Sequence, residues 1–354
     1  MTFRLAAVQA APVFLDRQAS TDKACELIAK AGEMGATMAA FGETWLPGYP
    51  RWVHARIPYH HRRALTGRYL AAAVRIPGPE TDQLCAAARA AGCDVTIGVA
   101  ELDDISAGTV YCTLLFISAE GEILGKHRKL KPTDAERTAW GEGDATGLRP
   151  YQRPYASISG LNCWEHNMVL PGYALMAQGT QIHVAAFPGH ETEPVAMSST
   201  RQLLLARAFA SQGACYVVLV GGVIHADEIA DDELREVIST TQPMNGGSYI
   251  IDPMGELLAG PAQGEEILIA DDELREVIST TQPMNGGSYI IDPMGELLAG
   301  PAQGEEILVA DGSLDVVRAA KAMCDVAGHY SRPDVLRLVV NRSPARRLVE
   351  EELS

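Results

Sequence analysis

The chain has 354 residues, 47% of them hydrophobic, with 29 Lys and Arg against 45 Asp and Glu for a formal net charge of −16. That apolar content is ample for a large core, and the acidic balance argues against nucleic acid or an anionic membrane surface as partner. No apolar run approaches the roughly 18 to 20 residues that a membrane span needs.

Residues 3–10 read as a buried strand and not as the apolar core of a secretory signal, because Gln9 and Asp16 interrupt the run early. Residues 17–34 read as a helix, with Ala24, Leu27, Ile28 and Ala31 at helical spacing. Residues 36–41 form the next strand and deliver Glu43. From 49 to 69 the chain is aromatic and basic, with His54, His60 and His61, and reads either as a pocket wall or subunit contact or as an exposed helix. Residues 79–92 are a helix with proline near the start and glycine at the end. Strands at 94–101 and 109–118 follow, and a turn at 119–122 leads into 123–129, a hairpin whose outgoing strand carries Lys129. A loop by composition then passes Pro132, Glu136 and Trp140 to Asp144. The apolar run 157–163 reads as a strand that ends on Cys163, with Trp164, Glu165 and His166 directly after it. A short helix at 171–178, a strand at 181–187, a helix at 198–212 and an apolar strand at 215–220 complete an α/β layered pattern.

The next forty residues, 229–268, recur without a change as 269–308. Two copies do not make a solenoid, which needs at least about three repeats to bury a continuous core. Each copy reads as a helix (231–237), a strand (248–251), an Asp-Pro-Met-Gly turn and a second strand (256–258). Each also carries eight carboxylates and one arginine, so the additional copy supplies −7 of the −16. One copy is expected to fill a slot in the fold while the other loops out or pairs at an edge, where unpaired strands invite aggregation. Residues 313–329 carry a last helix.

Seven cysteines, at 25, 85, 93, 112, 163, 215 and 324 with no C-x-x-C pair, make neither a disulfide framework nor a zinc site, and reduced thiols in a cytoplasm account for them. A metal reading of Cys163, Glu165 and His166 is disfavoured, since three ligands within four residues rarely point one way and no second ligand cluster completes a tetrahedron. Taken singly, a cysteine at a strand end is most often a small core residue. What stands out is a carboxylate, an ammonium and a thiol each at the end of a separate strand: Glu43, Lys129 and Cys163.

The stretches FGETWLPGYP (41–50), HRKLKPTDAERTAWGEGD (127–144), NCWEH (162–166) and GHYSRPDV (328–335) resemble the nitrilase branch of the carbon-nitrogen hydrolase superfamily. The resemblance implies a four-layer α-β-β-α sandwich forming one domain over 1–340, with room for a single copy of the repeated segment, and a short charged tail at 341–354. It implies Glu43 as general base and acid, Lys129 as stabiliser of the tetrahedral intermediate and Cys163 as nucleophile, with Glu136 orienting lysine and substrate. Trp164, Tyr49 and His166 would line the substrate pocket. No metal or organic cofactor is called for, the substrate would be a small nitrile, and dimers growing into larger or spiral oligomers are expected. Amide or carbamoyl-amine hydrolysis by the same trio, a hydratase-type relative that stops at the amide, and a silent scaffold on the same fold are the competing readings.

Overall fold

The computed structural model describes residues 3–189, 199–241, 244–262, 264–271 and 313–338, with short pieces at 290–291, 293 and 297–299. The chain runs through β1 (Arg4–Gln9), α1 (Arg17–Glu33), β2 (Met38–Phe41), α2 (Tyr59–Ala72), α3 (Pro79–Ala91), β3 (Asp94–Leu102), β4 (Val110–Ile117) and β5 (Ile123–Arg128). It continues as β6 (Tyr151–Gln152), β7 (Ser157–Asn162), α4 (Val169–Ala177), β8 (Ile182–Phe187), α5 (Ser199–Gly213) and β9 (Tyr216–Gly221). Then come β10 (Val223–Ile224), α6 (Asp232–Ser239), β11 (Met244–Asn245), β12 (Tyr249–Ile251), β13 (Leu257–Ala259), β14 (Glu266–Asp271), β15 (Ile290–Ile291), β16 (Leu297–Ala299) and α7 (Leu314–Met323).

Among the described residues, two six-stranded sheets form, in the orders β14-β1-β2-β3-β4-β5 and β13-β12-β9-β8-β7-β6. The central trios β1-β2-β3 and β7-β8-β9 are parallel and the flanking pairs antiparallel. Side chains alternate across each strand, so each sheet offers one face to the other sheet and one to helices. Leu5, Ala7, Met38, Leu114 and Phe116 of the first sheet pack with Ile158, Val184, Val218 and Ile250 of the second. On the opposite faces, Ile28 and Leu84 of α1 and α3 cover Val8, Phe41 and Ile97, while Leu175 and Phe209 of α4 and α5 cover Leu161, Phe187 and Leu219. The result is the four-layer α-β-β-α sandwich.

Local chemistry explains where the helices begin and end. The Asp16 carboxylate accepts from Ala19 N at the start of α1, and α3 begins on Pro79 and stops at Gly92, whose φ of +61° suits a residue without Cβ. The aromatic stretch after Tyr49 divides. Trp52 and Tyr69 are buried, whereas Tyr59 at the start of α2 is exposed.

The repeated segment enters the sandwich through its first copy. β12 pairs with β9, β13 pairs with β12, and β14 closes the first sheet against β1. β14 falls outside the strands expected from sequence, and it straddles the junction between copies, taking Leu268 from the first and Ile269 from the second. The second copy's β15 and β16 repeat the β12–β13 pairing at the equivalent residues, Ile290 to Ala299 and Ile291 to Leu297, and pair only with each other among the described residues. The hairpin is thus a local property of the sequence. Its place in the sheet is not. The tail at 341–354 lies outside the described residues.

Candidate active site

β2 and β3 are parallel, and β5 runs the same way because two successive antiparallel pairings restore direction. The carboxyl ends of β2 and β5 therefore lie at one edge of the first sheet, the position where ligands bind in α/β folds. Glu43 follows β2 and Lys129 follows β5. Cys163 follows β7 at the corresponding edge of the second sheet, and the two edges are tied together where Glu43 N donates to the carbonyl of Phe187 at the end of β8 (3.2 Å).

The loop bearing Glu43 lies directly on β3. A Cβ at Gly98 would sit 2.2 Å from the Gly42 carbonyl and 2.4 Å from Thr44 N, so only glycine permits that approach. Trp45 Nε1 donates to Ala10 O (2.7 Å) and Leu46 N to Gly98 O (3.1 Å), which fixes the loop on both sides. Lys129 is held as firmly. Its N–H donates to Cys112 O (2.7 Å), and its own carbonyl accepts from Gly143 N (2.8 Å).

Lys129 Nζ lies 2.7 Å from Glu43 Oε1 and 2.7 Å from Glu136 Oε2, all three groups being buried. Oxygens of both carboxylates and Cys163 Sγ fall within 4.8 Å of one another. Such a set has the spacing of a metal site, but the positive charge between the two carboxylates is the Lys129 ammonium. Glu136 also accepts from Tyr49 OH (2.9 Å) and from Thr133 N (2.6 Å), and Tyr49 OH meets His54 Nε2 at 2.9 Å. Burial pushes the Glu43 carboxyl up to about 7 even though Lys129 opposes the shift. Burial works against the Lys129 ammonium, yet Glu136 and Glu43 outweigh it and hold its pKa well above the ordinary value. Burial and then the Glu43 charge push the Cys163 thiol well up, with Lys129 and the Trp164 N–H acting the other way.

Cys163 opens a 3-10 turn, Cys163–Asn167, and has a φ of +47°. A left-handed conformation in a residue with Cβ stores roughly 1–3 kcal/mol and persists only where the surroundings over-determine it. Two neighbours do so. Glu165 is buried and receives Asn162 N (2.8 Å), Leu130 N (2.8 Å) and His127 Nε2 (3.0 Å), which staples the nucleophile's turn to the residue after Lys129. His166 Nδ1 lies 2.7 Å from the Cys163 carbonyl, which can only accept, so this nitrogen carries the proton. Its Nε2 must then accept from His183 Nε2 (3.0 Å), and His183 Nδ1 accepts from Ser159 Oγ (2.9 Å). Burial lowers His166 to about 4 and His183 still further, so this chain is neutral. Both nitrogens of His166, expected at the pocket, are thereby engaged with the protein.

Trp164 and the GHYSRPDV stretch complete the surroundings. Trp164 packs edge-on to Tyr330 at 6.1 Å, and Tyr330 OH meets Thr133 Oγ1 at 2.7 Å. Arg332 Nη1 donates to the carbonyls of Leu130 (2.6 Å) and Gly143 (2.8 Å), bracing both sides of the lysine loop. Two functional residues are not marked out by sequence reasoning: Cys112, whose thiol donates to Glu43 Oε1 at 3.3 Å, and Glu165 as a staple. A cysteine within an apolar strand gives no local sign of such a role. The NCWEH stretch does place Glu165 beside the nucleophile.

The family model described as carbon-nitrogen hydrolase matches residues 4–282, and the chain belongs to that family. It is 50% identical to Nitrilase 2 of an unknown prokaryotic organism, over 98% of this chain and 94% of the relative. It is 34% identical to an aliphatic nitrilase of Rhodococcus rhodochrous (96% and 83% covered) and 34% identical to a bifunctional nitrilase/nitrile hydratase of Lupinus angustifolius (97% and 87%). Among solved structures, a carbon-nitrogen hydrolase from Helicobacter pylori G27 superposes with a TM-score of 0.59 at 16% identity, covering 77% of this chain and 89% of that one. An amidase from Nesterenkonia sp. gives 0.56 at 18% identity, covering 76% and 89%, and both likenesses speak to the fold.

Proposed function

We propose that the protein hydrolyses a small organic nitrile to the carboxylic acid and ammonia, with Cys163 as nucleophile, Glu43 as base and acid, and Lys129, oriented by Glu136, as electrostatic partner. The observation that carries this reading is the buried carboxylate–ammonium–carboxylate set with the thiol beside it at the joined sheet edges. The 50% identity to a curated nitrilase supports the choice of nitriles over amides.

The thiol proton passes to Glu43 as sulfur bonds the nitrile carbon, and Glu43 delivers that proton to the nitrogen, giving a thioimidate. The charge that develops there faces the Lys129 ammonium in a water-poor site, where fixed charge acts strongly. A first water adds to the thioimidate carbon and gives up a proton through Glu43. The carbon–nitrogen bond breaks, ammonia leaves and a thioester remains. A second water adds, the carbon–sulfur bond breaks, and the thiolate regains its proton as the acid departs. Each step uses protons only, and no metal or organic cofactor enters the balance. Trp164 and Tyr49 would line the substrate side, while His166 would act by holding the Cys163 carbonyl.

Ammonia release from a panel of aliphatic, aryl and arylacetonitriles tests the proposal, with Cys163→Ala as control. Turnover of none of them, or turnover that survives Cys163→Ala, sinks it. A second reading, amide released beside acid, draws support from the bifunctional relative and is separated by mass detection of amide. A cytoplasmic setting belongs to the same proposal and rests on the free thiols. No helix among the described residues is long and apolar enough to cross a membrane. Self-association is proposed through the exposed apolar side chains Val169 and Tyr173 on α4 and Leu204 on α5, and Tyr173→Asp should lower the mass seen by light scattering.

A further inference from the structure

The two oxygens of Glu43 are treated differently by the protein. Oε1 receives Lys129 Nζ at 2.7 Å and Cys112 Sγ at 3.3 Å, whereas Oε2 is buried with no hydrogen-bond partner among the described residues. Cys112 sits on β4 directly behind the site, fully buried, and its carbonyl accepts the Lys129 N–H at 2.7 Å. One residue therefore touches both partners of the buried ion pair, with its backbone on the lysine and its side chain on the glutamate.

We infer that Cys112 is a positioning residue for Glu43: its thiol proton, together with the Lys129 ammonium, occupies Oε1 and leaves Oε2 as the oxygen that exchanges protons with the nucleophile and substrate. This rests on the role given to Glu43 above. A carboxylate with both oxygens equally engaged would have to break a bond in order to act as a base, and one with neither engaged would rotate. Saturating one oxygen fixes the carboxyl plane and keeps the other lone pairs ready. Burial, and then the nearby Glu43 charge, hold the Cys112 thiol well above its ordinary value, so it stays protonated and remains a donor. A thiol donor favours the ionised carboxylate, and its removal should make Glu43 harder to ionise.

The groups that face Glu43 are Lys129 beyond β5, Glu136 from the loop after it, Cys112 on β4, Cys163 after β7, Tyr49, and Tyr69 on α2. Of these, Cys112 can be changed without touching the lysine, the second carboxylate or the nucleophile. The test is the pH profile of kcat/KM for the full-length enzyme on its best nitrile. Cys112→Ala should move the acid limb up by about half to one pH unit, the equivalent of one net hydrogen bond. Cys112→Ser, which keeps a donor, should bring it back toward the parental position. Should Cys112→Ala fail to fold, Cys112→Val removes the donor at closer volume and is read in the same way. An unmoved or lowered limb in the donor-less variant, or equal displacement in Ala and Ser, overturns the assignment and leaves Cys112 as packing alone. Glu43→Gln and Cys163→Ala serve as controls. If either keeps parental kcat, the role of Glu43 itself falls. If both are inactive while Cys112→Ala keeps the parental limb, only the Cys112 assignment falls.

Discussion

Glu165→Gln separates the support of the site from its chemistry. The carboxylate accepts from Leu130 N on one oxygen and from Asn162 N on the other, each at 2.8 Å, with His127 Nε2 at 3.0 and 3.1 Å. An amide has one acceptor end and one donor end. Whichever way the substituted side chain turns, its NH2 faces one of those backbone N–H groups and leaves that donor buried and unsatisfied, which costs about 1–3 kcal/mol. The bonds that survive lose their charge assistance, a further loss of about 1–2 kcal/mol. For a chain of this length roughly 2–5 kcal/mol corresponds to a fall in Tm on the order of 5–10 °C. The same change loosens the register between the nucleophile's turn and the lysine loop, and a displacement of about 1 Å at reacting groups can cost on the order of a hundredfold in kcat. Thermal denaturation followed by circular dichroism, with ammonia release at saturating nitrile, reads both effects. A Glu165→Gln variant that melts with the parent and turns over at the parental rate would falsify the staple. Burial pushes the Glu165 carboxyl up, but His127 and the backbone donors outweigh it and hold it below its ordinary value of 4.5. Its contribution is therefore present above that pH and is lost as pH falls further, so the difference in Tm between parent and variant should shrink only in strong acid.

With Glu43 raised to about 7, kcat/KM should fall on the acid side with a limb near that pH, and a limb at the ordinary carboxylate value would count against Glu43 as the base. Because the folded value lies above the ordinary 4.5, this carboxyl opposes folding increasingly as pH rises from 4.5 toward 7, so acid should not destabilise the protein through Glu43. Lys129→Met leaves Glu43 and Glu136 buried without their cation, which should cost about 3–5 kcal/mol near neutral pH and abolish turnover; parental Tm in that variant contradicts the ion-pair reading. Deletion of residues 269–308 should give a soluble enzyme with parental kcat and an equal or higher Tm, and an insoluble or inactive product would show that the second copy is part of the fold.

The trio is legible because each member follows an apolar run of strand length, and because FGETWLPGYP, HRKLKP and NCWEH are specific stretches. Burial periodicity finds such strands without knowing their partners. What sequence does not carry is the pairing across distance. That Glu43 N reaches Phe187 in the other sheet, or that Cys112 opposes Lys129, follows from strand order and register, and neither leaves a local trace. His166 shows the limit from the other side. Its place beside Cys163 suggests the pocket, but a histidine three residues beyond the nucleophile in a 3-10 turn folds back onto that residue's carbonyl, and its other nitrogen is met by His183 from β8. β14 escapes a sequence reading because two glutamates precede only three apolar residues, too short a run to read as a strand without β1 beside it.

The repeated segment shows how little of its placement is local. Both copies form the same hairpin, so the choice between them is made by connectivity: the first copy reaches β9 by way of α6, and β14 follows at once to close the other sheet. The junction falls inside β14, after Leu268. Removing 269–308 would join Leu268 to Val309-Ala310-Asp311, rebuilding the strand with Val where Ile269 now stands and Ala and Asp unchanged. Loss of that one methylene costs about 0.5–1.5 kcal/mol. Against it stands the closure of a long connection between Asp271 and Ser313, where each doubling of length costs only about 0.6 kcal/mol and the whole addition on the order of 2–3 kcal/mol. The two nearly cancel. That is why Tyr330 and Arg332, which lie beyond the second copy, can still reach Thr133, Leu130 and Gly143 around the lysine loop, and why forty additional residues leave the site assembled.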